Sequence, residues 1–198
     1  MAERKTDVAR QTRETKVRVS LALGPGDCTT RTGIGFLDHM LATLGRHAGW
    51  CLHVEALGDL HVDAHHTVED VGLCVGDALD RLLGERAGIV RFGFAYAPMD
   101  EALARAVVDV SGRPFCRVAV PPELATAWVT PQFGLTLVAE FWKAVASRAR
   151  LTLHLDLERA SDPHHGAEAM FKACALALRQ ALRPSGEGVL STKGTLSV

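Results

Sequence analysis

Two five-residue runs constrain this chain more than anything else in it: His65-His66-Thr67-Val68-Glu69 and His164-His165-Gly166-Ala167-Glu168. Each has the same upstream partners. His39 stands fourteen residues before His53 in Leu52-His53-Val54, and Glu140 stands fourteen residues before His154 in Leu153-His154-Leu155. From His39 to the first histidine pair is twenty-six residues, and from Glu140 to the second is twenty-four. Surface or capping chemistry explains one such run, but not two with matching partners. The chain therefore reads as one domain built from two repeats, at about 1–90 and 91–198.

Hydrophobic periodicity supports this order of elements. Val17, Val19, Leu21 and Leu23 alternate, a half-buried strand ended by the turn Gly24-Pro25-Gly26-Asp27. Helices are predicted from Phe36 to about His47, from about His65 to Leu83 with Gly84 as the stop, near 133–147, and from about His165 to Leu182. Further strands are predicted at Cys51–Ala56, near 91–97, 102–110 and 115–120, and along Leu151, Leu153, Leu155 and Leu157. The fold class is α+β: duplicated α/β half-domains related by a pseudo-twofold, with a helix layer sandwiched between two mixed β-sheets.

Composition narrows the setting. A net charge of −1 gives no reason to expect nucleic acid or an anionic membrane as a partner. No window approaches the roughly 18–20 apolar residues of a membrane span, and Met1-Ala2-Glu3-Arg4-Lys5 opens no signal peptide. Five scattered cysteines, never spaced C-x-x-C, suit neither a disulfide framework nor a thiolate zinc site. The expected location is the cytoplasm.

The repeated runs carry the chemistry. His65 and Glu69 are four apart, so on a helix they share a face and can share a metal ion. His66 is rotated by about 100° and points elsewhere. A pseudo-twofold supplies a second ion for it. On this reasoning one ion takes His65, Glu69, His165 and Glu140, and its mirror takes His164, Glu168, His66 and His39. Imidazole and carboxylate ligands without thiolate suit manganese, iron or zinc, and manganese best where positions stay open for substrate.

Further motifs lie in order along nearly the whole chain: Thr32-Gly33-Ile34-Gly35-Phe36-Leu37-Asp38-His39, His61 through Asp70, Arg91-Phe92-Gly93, Pro98-Met99-Asp100-Glu101, Asp109-Val110-Ser111-Gly112-Arg113-Pro114, Glu168 to Lys172, and Ser191-Thr192-Lys193-Gly194. Together they resemble the imidazoleglycerol-phosphate dehydratase family of histidine biosynthesis. The resemblance implies a hydro-lyase that dehydrates D-erythro-imidazoleglycerol phosphate to imidazoleacetol phosphate. It also implies two manganese ions per active site and trimers that build a homo-oligomer of 24 subunits, with sites at subunit contacts. The proton to be removed is not beside a carbonyl, so no ordinary enolate forms. Two ions flanking the ring can instead hold it as an imidazolate by lowering the pKa of its N–H.

The resemblance also implies roles. Glu14 is the catalytic base, and Glu168 shuttles a proton as well as binding metal. His47, Arg91, Arg113, Lys172, Ser191 and Lys193 form the phosphate-binding set. Lys172, four beyond Glu168, shares its helical face. In the family phosphate orders the tail, which implies a mobile C-terminus without it.

The chain departs from the family pattern at Ala64, where an Asp is common, at Glu140, where a His is common, and in Arg159–Pro163, which lacks a frequent Gly. His53 and His154 read as core or packing residues, and Trp50, Trp128 and Trp142 as packing or interface anchors. Two rivals remain at this point. A metal-activated hydrolase would use the same ligands, with the phosphate set against it. A metal-dependent assembly protein would have no need of Glu14, Lys172 and Lys193.

Overall fold

The sequence repeat becomes two sheets with the same strand order. The computed structural model describes residues 5–186, 188–192 and 194–196. The first half runs β1 (Lys5–Gln11), β2 (Thr15–Leu23), β3 (Cys28–Arg31), α1 (Gly35–Ala48), β4 (Trp50–Gly58) and α2 (His65–Leu83). The second runs β5 (Phe92–Met99), β6 (Ala102–Asp109), β7 (Phe115–Ala119), a small hairpin of β8 (Trp128–Thr130) and β9 (Phe133–Gly134), α3 (Leu135–Ala149), β10 (Thr152–Arg159) and α4 (Pro163–Ala181). The sheets are ordered β1-β2-β4-β3 and β5-β6-β10-β7. In each the last pair is parallel and the others antiparallel.

The helices form the middle layer. α1 pairs with α4 and α2 with α3, while α2 also rests on β1, β2 and β4, and α4 on β5, β6 and β10. Alternation along the strands decides which face meets them: Val17, Val19 and Leu21 are buried while Lys16 and Arg18 point out. Burial of such side chains contributes roughly 1.5–3 kcal/mol each.

Small residues set how closely the layers approach. A Cβ on Gly93 in β5 would lie 1.9 Å from the Ala177 carbonyl oxygen of α4. In α2, a Cβ on Gly72 would lie 2.8 Å from Phe141 O, and one on Gly76 2.7 Å from Val145 O, both in α3. Glycine inside a helix costs about 0.5–1 kcal/mol relative to alanine, so these two are held by the helix–helix contact.

The sequence reading did not find β1, β3 or the β8–β9 hairpin. β1 buries only Val8, and β3 spans four residues, so neither carries a strong alternation. α4 begins at Pro163, two residues before the expected start, because Asp162 caps it by accepting from His164 N at 2.7 Å. His53 and His154 are not core residues. Their strands bury alternate positions, which puts both half-exposed on outer sheet faces: His53 Nε2 is 3.3 Å from Cys51 Sγ, and the His154 ring 5.4 Å from Phe115. Trp50 and Trp142 are buried, whereas Trp128 on the hairpin is 66% exposed. All five cysteines are free thiols. Among the described residues no helix is long and apolar enough to cross a membrane.

Gly76→Ala is expected to lower unfolding free energy by about 1–3 kcal/mol through overpacking against the α3 backbone, measured by urea denaturation. A gain of about 1 kcal/mol, as an unconstrained helical glycine would give, would show that α2 and α3 do not meet there.

Candidate active site

His39, His164 and Glu168 come together where α1 and α4 begin. Asp38 fixes the start of α1 by accepting from Thr32 N at 2.9 Å and Thr32 Oγ1 at 3.0 Å, which turns the next residue, His39, toward α4. His39 Nε2 lies 3.2 Å from Glu168 Oε2, and His164 Nε2 lies 3.6 Å from the same oxygen. Phe36 packs edge-on to the His164 ring, with centroids 5.1 Å apart. One turn further along α4, Lys172 Nζ donates to Glu168 Oε1 at 2.7 Å. Burial pushes the Glu168 carboxyl toward higher pKa, but hydrogen bonds from Lys172 and His39 outweigh it and hold the group below its usual range. Glu168 is therefore an ionised, largely shielded oxygen donor between two imidazole nitrogens. That donor set, two nitrogens and a carboxylate within 4.8 Å of one another, fits manganese, iron or zinc with positions left open.

The second histidine of each pair has a different environment, and it is the same one in both halves. His66 Nδ1 lies 3.0 Å from Asp59 and 3.7 Å from Glu14. His165 Nδ1 lies 2.8 Å from Glu101. Glu14 directly precedes β2 and Glu101 directly precedes β6, so each hairpin turn aims a carboxylate at the second histidine of its own half. A carboxylate at Nδ1 favours a proton there, which in the neutral ring leaves the Nε2 lone pair as the one that could hold a metal. Both imidazole pKa values are raised, His66 first by its hydrogen bond to Asp59 and His165 first by its bond to Glu101. Glu101 is pulled down to about 2, first by His165 and then by the Asp162 N–H. It also accepts from Ser161 N and Oγ, at 3.1 and 3.2 Å, so it orders the loop that caps α4. Asp63 accepts from His65 N at 2.8 Å as Asp162 does from His164 N. Ala64, at the N-cap of α2, makes no side-chain cap bond, while His66 keeps a carboxylate in Asp59.

The expected fourfold sets do not form within one chain. Three members of one set, His39, His164 and Glu168, meet, but His66 faces Asp59 and Glu14 instead. The reason is architectural: His66 starts α2, which pairs with α3, not with the α1–α4 pair. His65, Glu69, His165 and Glu140 are not drawn together either. Glu140 binds Lys143 at 2.8 Å, His165 turns to Glu101, and His65 lines an open cavity of about 430 Å³ with Leu60, Val62, Trp128 and Leu137.

The candidate phosphate residues divide. Lys172 and His47 lie beside Glu168, and the His47 pKa is lowered first by burial and then by the Lys172 charge. Arg113 is exposed at the end of the β6–β7 turn. Arg91 instead makes a paired contact with Asp109, at 2.7 and 3.0 Å, and donates to Leu190 O at 2.5 Å. Ser191 follows directly on Leu190, and Lys193 lies outside the described residues. Of the described tail residues, Leu196 is 4% exposed and lies over Gly112. Sequence reasoning missed Asp59, Glu101 and Asp109 as partners. Only Glu101 left a trace, its place before β6 matching that of Glu14 before β2.

Comparison with known proteins gives one answer. The family profile described as imidazoleglycerol-phosphate dehydratase matches residues 32–178. The protein of that name from Acidithiobacillus ferrooxidans is 48% identical over 202 residues, covering 100% of both chains. The one from Candida glabrata is 42% identical over 210 residues, covering 96% of this chain and 99% of its own. The crystal structure of imidazoleglycerol-phosphate dehydratase from Staphylococcus aureus superposes with a TM-score of 0.80 at 38% identity, covering 91% of this chain and 99% of that one. That of the Pyrococcus furiosus enzyme, solved with (S)-C348, gives 0.82 at 35%, covering 94% and 99%. With its duplicated sheets, its clustered His39, His164 and Glu168, and these relatives along its whole length, the chain belongs to the imidazoleglycerol-phosphate dehydratase family of hydro-lyases.

Proposed function

We propose that the protein dehydrates D-erythro-imidazoleglycerol phosphate to imidazoleacetol phosphate in histidine biosynthesis, in the cytoplasm, with two manganese ions per active site. The observation that carries this reading is the row His164, Glu168, Lys172 on one face of α4, closed by His39 from α1. It sets a metal-binding trio beside an ammonium for a phosphate, in a chain of this family. When bound, the ions supply Lewis acidity that lowers the pKa of the substrate ring N–H.

The chain's own residues do the rest. Glu168, ionised and shielded, holds its place as a ligand and can pass a proton between its oxygen and the adjacent substrate carbon. Glu14 is exposed and is the more distant of the two carboxylates at His66, 3.7 Å against 3.0 Å for Asp59. It can therefore leave the imidazole to Asp59 and act on substrate as the base that takes the carbon-bound proton. His47, with its lowered pKa, stays neutral near pH 7 and offers an N–H to the phosphate, next to the Lys172 charge. Arg91, Arg113, Ser191 and Lys193 complete that set.

Nδ1 of His66 and of His165 each face a carboxylate, His165 Nε2 lies 3.8 Å from Asp100, and neither imidazole joins the trio of its own chain. A second copy that brings His66 to this trio would complete one four-ligand set, and one that brings His165 to His65, Glu69 and Glu140 would complete the other. This supports a homo-oligomer, which on the family resemblance is built from trimers toward 24 subunits, and symmetric closure is the usual form of such assemblies. The hydrolase reading differs in product: it would release inorganic phosphate.

Purified protein supplied with manganese and substrate should form imidazoleacetol phosphate, and chelation should abolish turnover. A metal-loaded, assembled sample that makes none overturns the proposal. Glu14→Gln should reduce kcat by about 10²–10⁴-fold with metal content kept. Glu101→Ala should do the converse at first, weakening metal binding about 10–100-fold by freeing the His165 ring, read by metal titration. Equal metal affinity in Glu101→Ala and wild type would remove His165 from the ligand set.

A further inference from the structure

The C-terminal segment is fastened at two points, and each fastening adjoins one of the two arginines proposed for phosphate. The first runs through Arg91. Its backbone adopts φ +74°, a left-handed conformation uncommon outside glycine. It is held there because its N–H donates to Ala181 O at 2.8 Å and its carbonyl accepts from Val110 N at 3.0 Å. This pinned backbone projects the guanidinium across the end of β6. There Nε and Nη2 donate to the two oxygens of Asp109, at 2.7 and 3.0 Å, and Nη1 donates to Leu190 O at 2.5 Å. The side chains of the pair are 13% and 19% exposed, and the Phe92 ring lies against the guanidinium, 4.7 Å from centroid to Cζ.

The second fastening is Gly112, which precedes Arg113. It has φ +74°, and a Cβ there would lie 1.8 Å from the Leu196 carbonyl oxygen, so only glycine lets the segment lie down at this point. Between the two, Gly194 N donates to Ser191 O at 3.1 Å and closes a turn. The turn that carries Ser191 is thus strung between the neighbourhoods of Arg91 and Arg113.

We propose that Asp109 is a positioning residue for phosphate recognition, which rests on the dehydratase reading above. It touches no phosphate, and its own charge would repel one. It fixes the Arg91 fork so that Nη1 holds Leu190, and with it Ser191, while each terminal nitrogen, bonded once here, keeps a second N–H for the anion. Without the carboxylate, Arg91 regains its rotamer freedom and the loop loses its anchor, and both must be restored on binding.

The sign of the effect separates this from simple electrostatics. Asp109 partly cancels the Arg91 charge, so on charge alone its removal should tighten phosphate binding. Positioning demands the opposite. In the manganese-loaded full chain, Asp109→Asn should raise both KM for imidazoleglycerol phosphate and the inhibition constant of inorganic phosphate about tenfold or more. It should leave kcat within about threefold, since no group at the reacting carbons is altered. Amide exchange over 188–196 should quicken while exchange in α2 and β2 is kept, and Asp109→Glu should recover part of the phosphate affinity. Phosphate inhibition that is unchanged or tighter in Asp109→Asn overturns the assignment. Should that variant not fold, wild-type exchange decides: no slower exchange at 190–192 than in a fraying terminus means Arg91 does not anchor the segment, and the proposal falls. Wild type that neither turns over substrate nor is inhibited by phosphate instead overturns the dehydratase reading on which the proposal stands.

Discussion

The parallel contact between α1 and α4 is the constraint on which the site depends. His39 meets Glu168 near the start of both helices, and His47 feels Lys172 one or two turns later, so the two helices run the same way. That direction follows from the layer itself, in which each sheet sends its helices inward and each helix pair is made from one helix of either half. A rotation of α4 by a single residue would carry Glu168 away from His39 and Lys172 away from His47 together, because all lie on one stripe of period 3.6. Close backbone approach guards against this. Gly93 admits the Ala177 carbonyl to within a distance no side chain would allow. The ligand geometry is thus set by backbone contacts in the second half as much as by the ligands.

Much of this was legible in the residues. The i, i+4 row His164, Glu168, Lys172 needs only helical periodicity to be placed, and the matched spacing around His39 and Glu140 needs only counting. What escaped was pairwise across the fold. Asp59 follows β4 and meets a histidine that starts α2; Glu101 meets one sixty-four positions later. No local pattern encodes such a meeting, since it depends on where a turn ends in space. The same holds for Arg91. Its sequence neighbourhood marks a cation for phosphate, while its side chain is already engaged by Asp109 and Leu190. The edge strands β1 and β3 were missed for a different reason. An edge strand with one buried side chain satisfies its backbone through its neighbour, and alternation hardly shows.

The halves share strand order and helix pairing but differ in the β8–β9 hairpin and in some of their candidate ligands. Asp63 and Asp162 each accept from the N–H two residues on, at the starts of equivalent helices, and the two hairpins present Glu14 and Glu101 to equivalent histidines. His39 and Glu140 break the pattern. An imidazole in one position and a carboxylate in the other give the two helix pairs different charge, and Glu140 answers by binding Lys143 where His39 binds Glu168. Lys172 has no cationic counterpart on α2, since the residue four beyond Glu69 is Leu73. One end of the helix layer is therefore equipped for an anion and the other is not.

Glu101 joins tasks that most enzymes keep apart. The same carboxylate ties down the loop that starts α4 and fixes the tautomer of the His165 ring. Drift in this hairpin cannot then be neutral for chemistry while harmful to folding, or the reverse. A substitution that lets the loop relax also lets the imidazole turn.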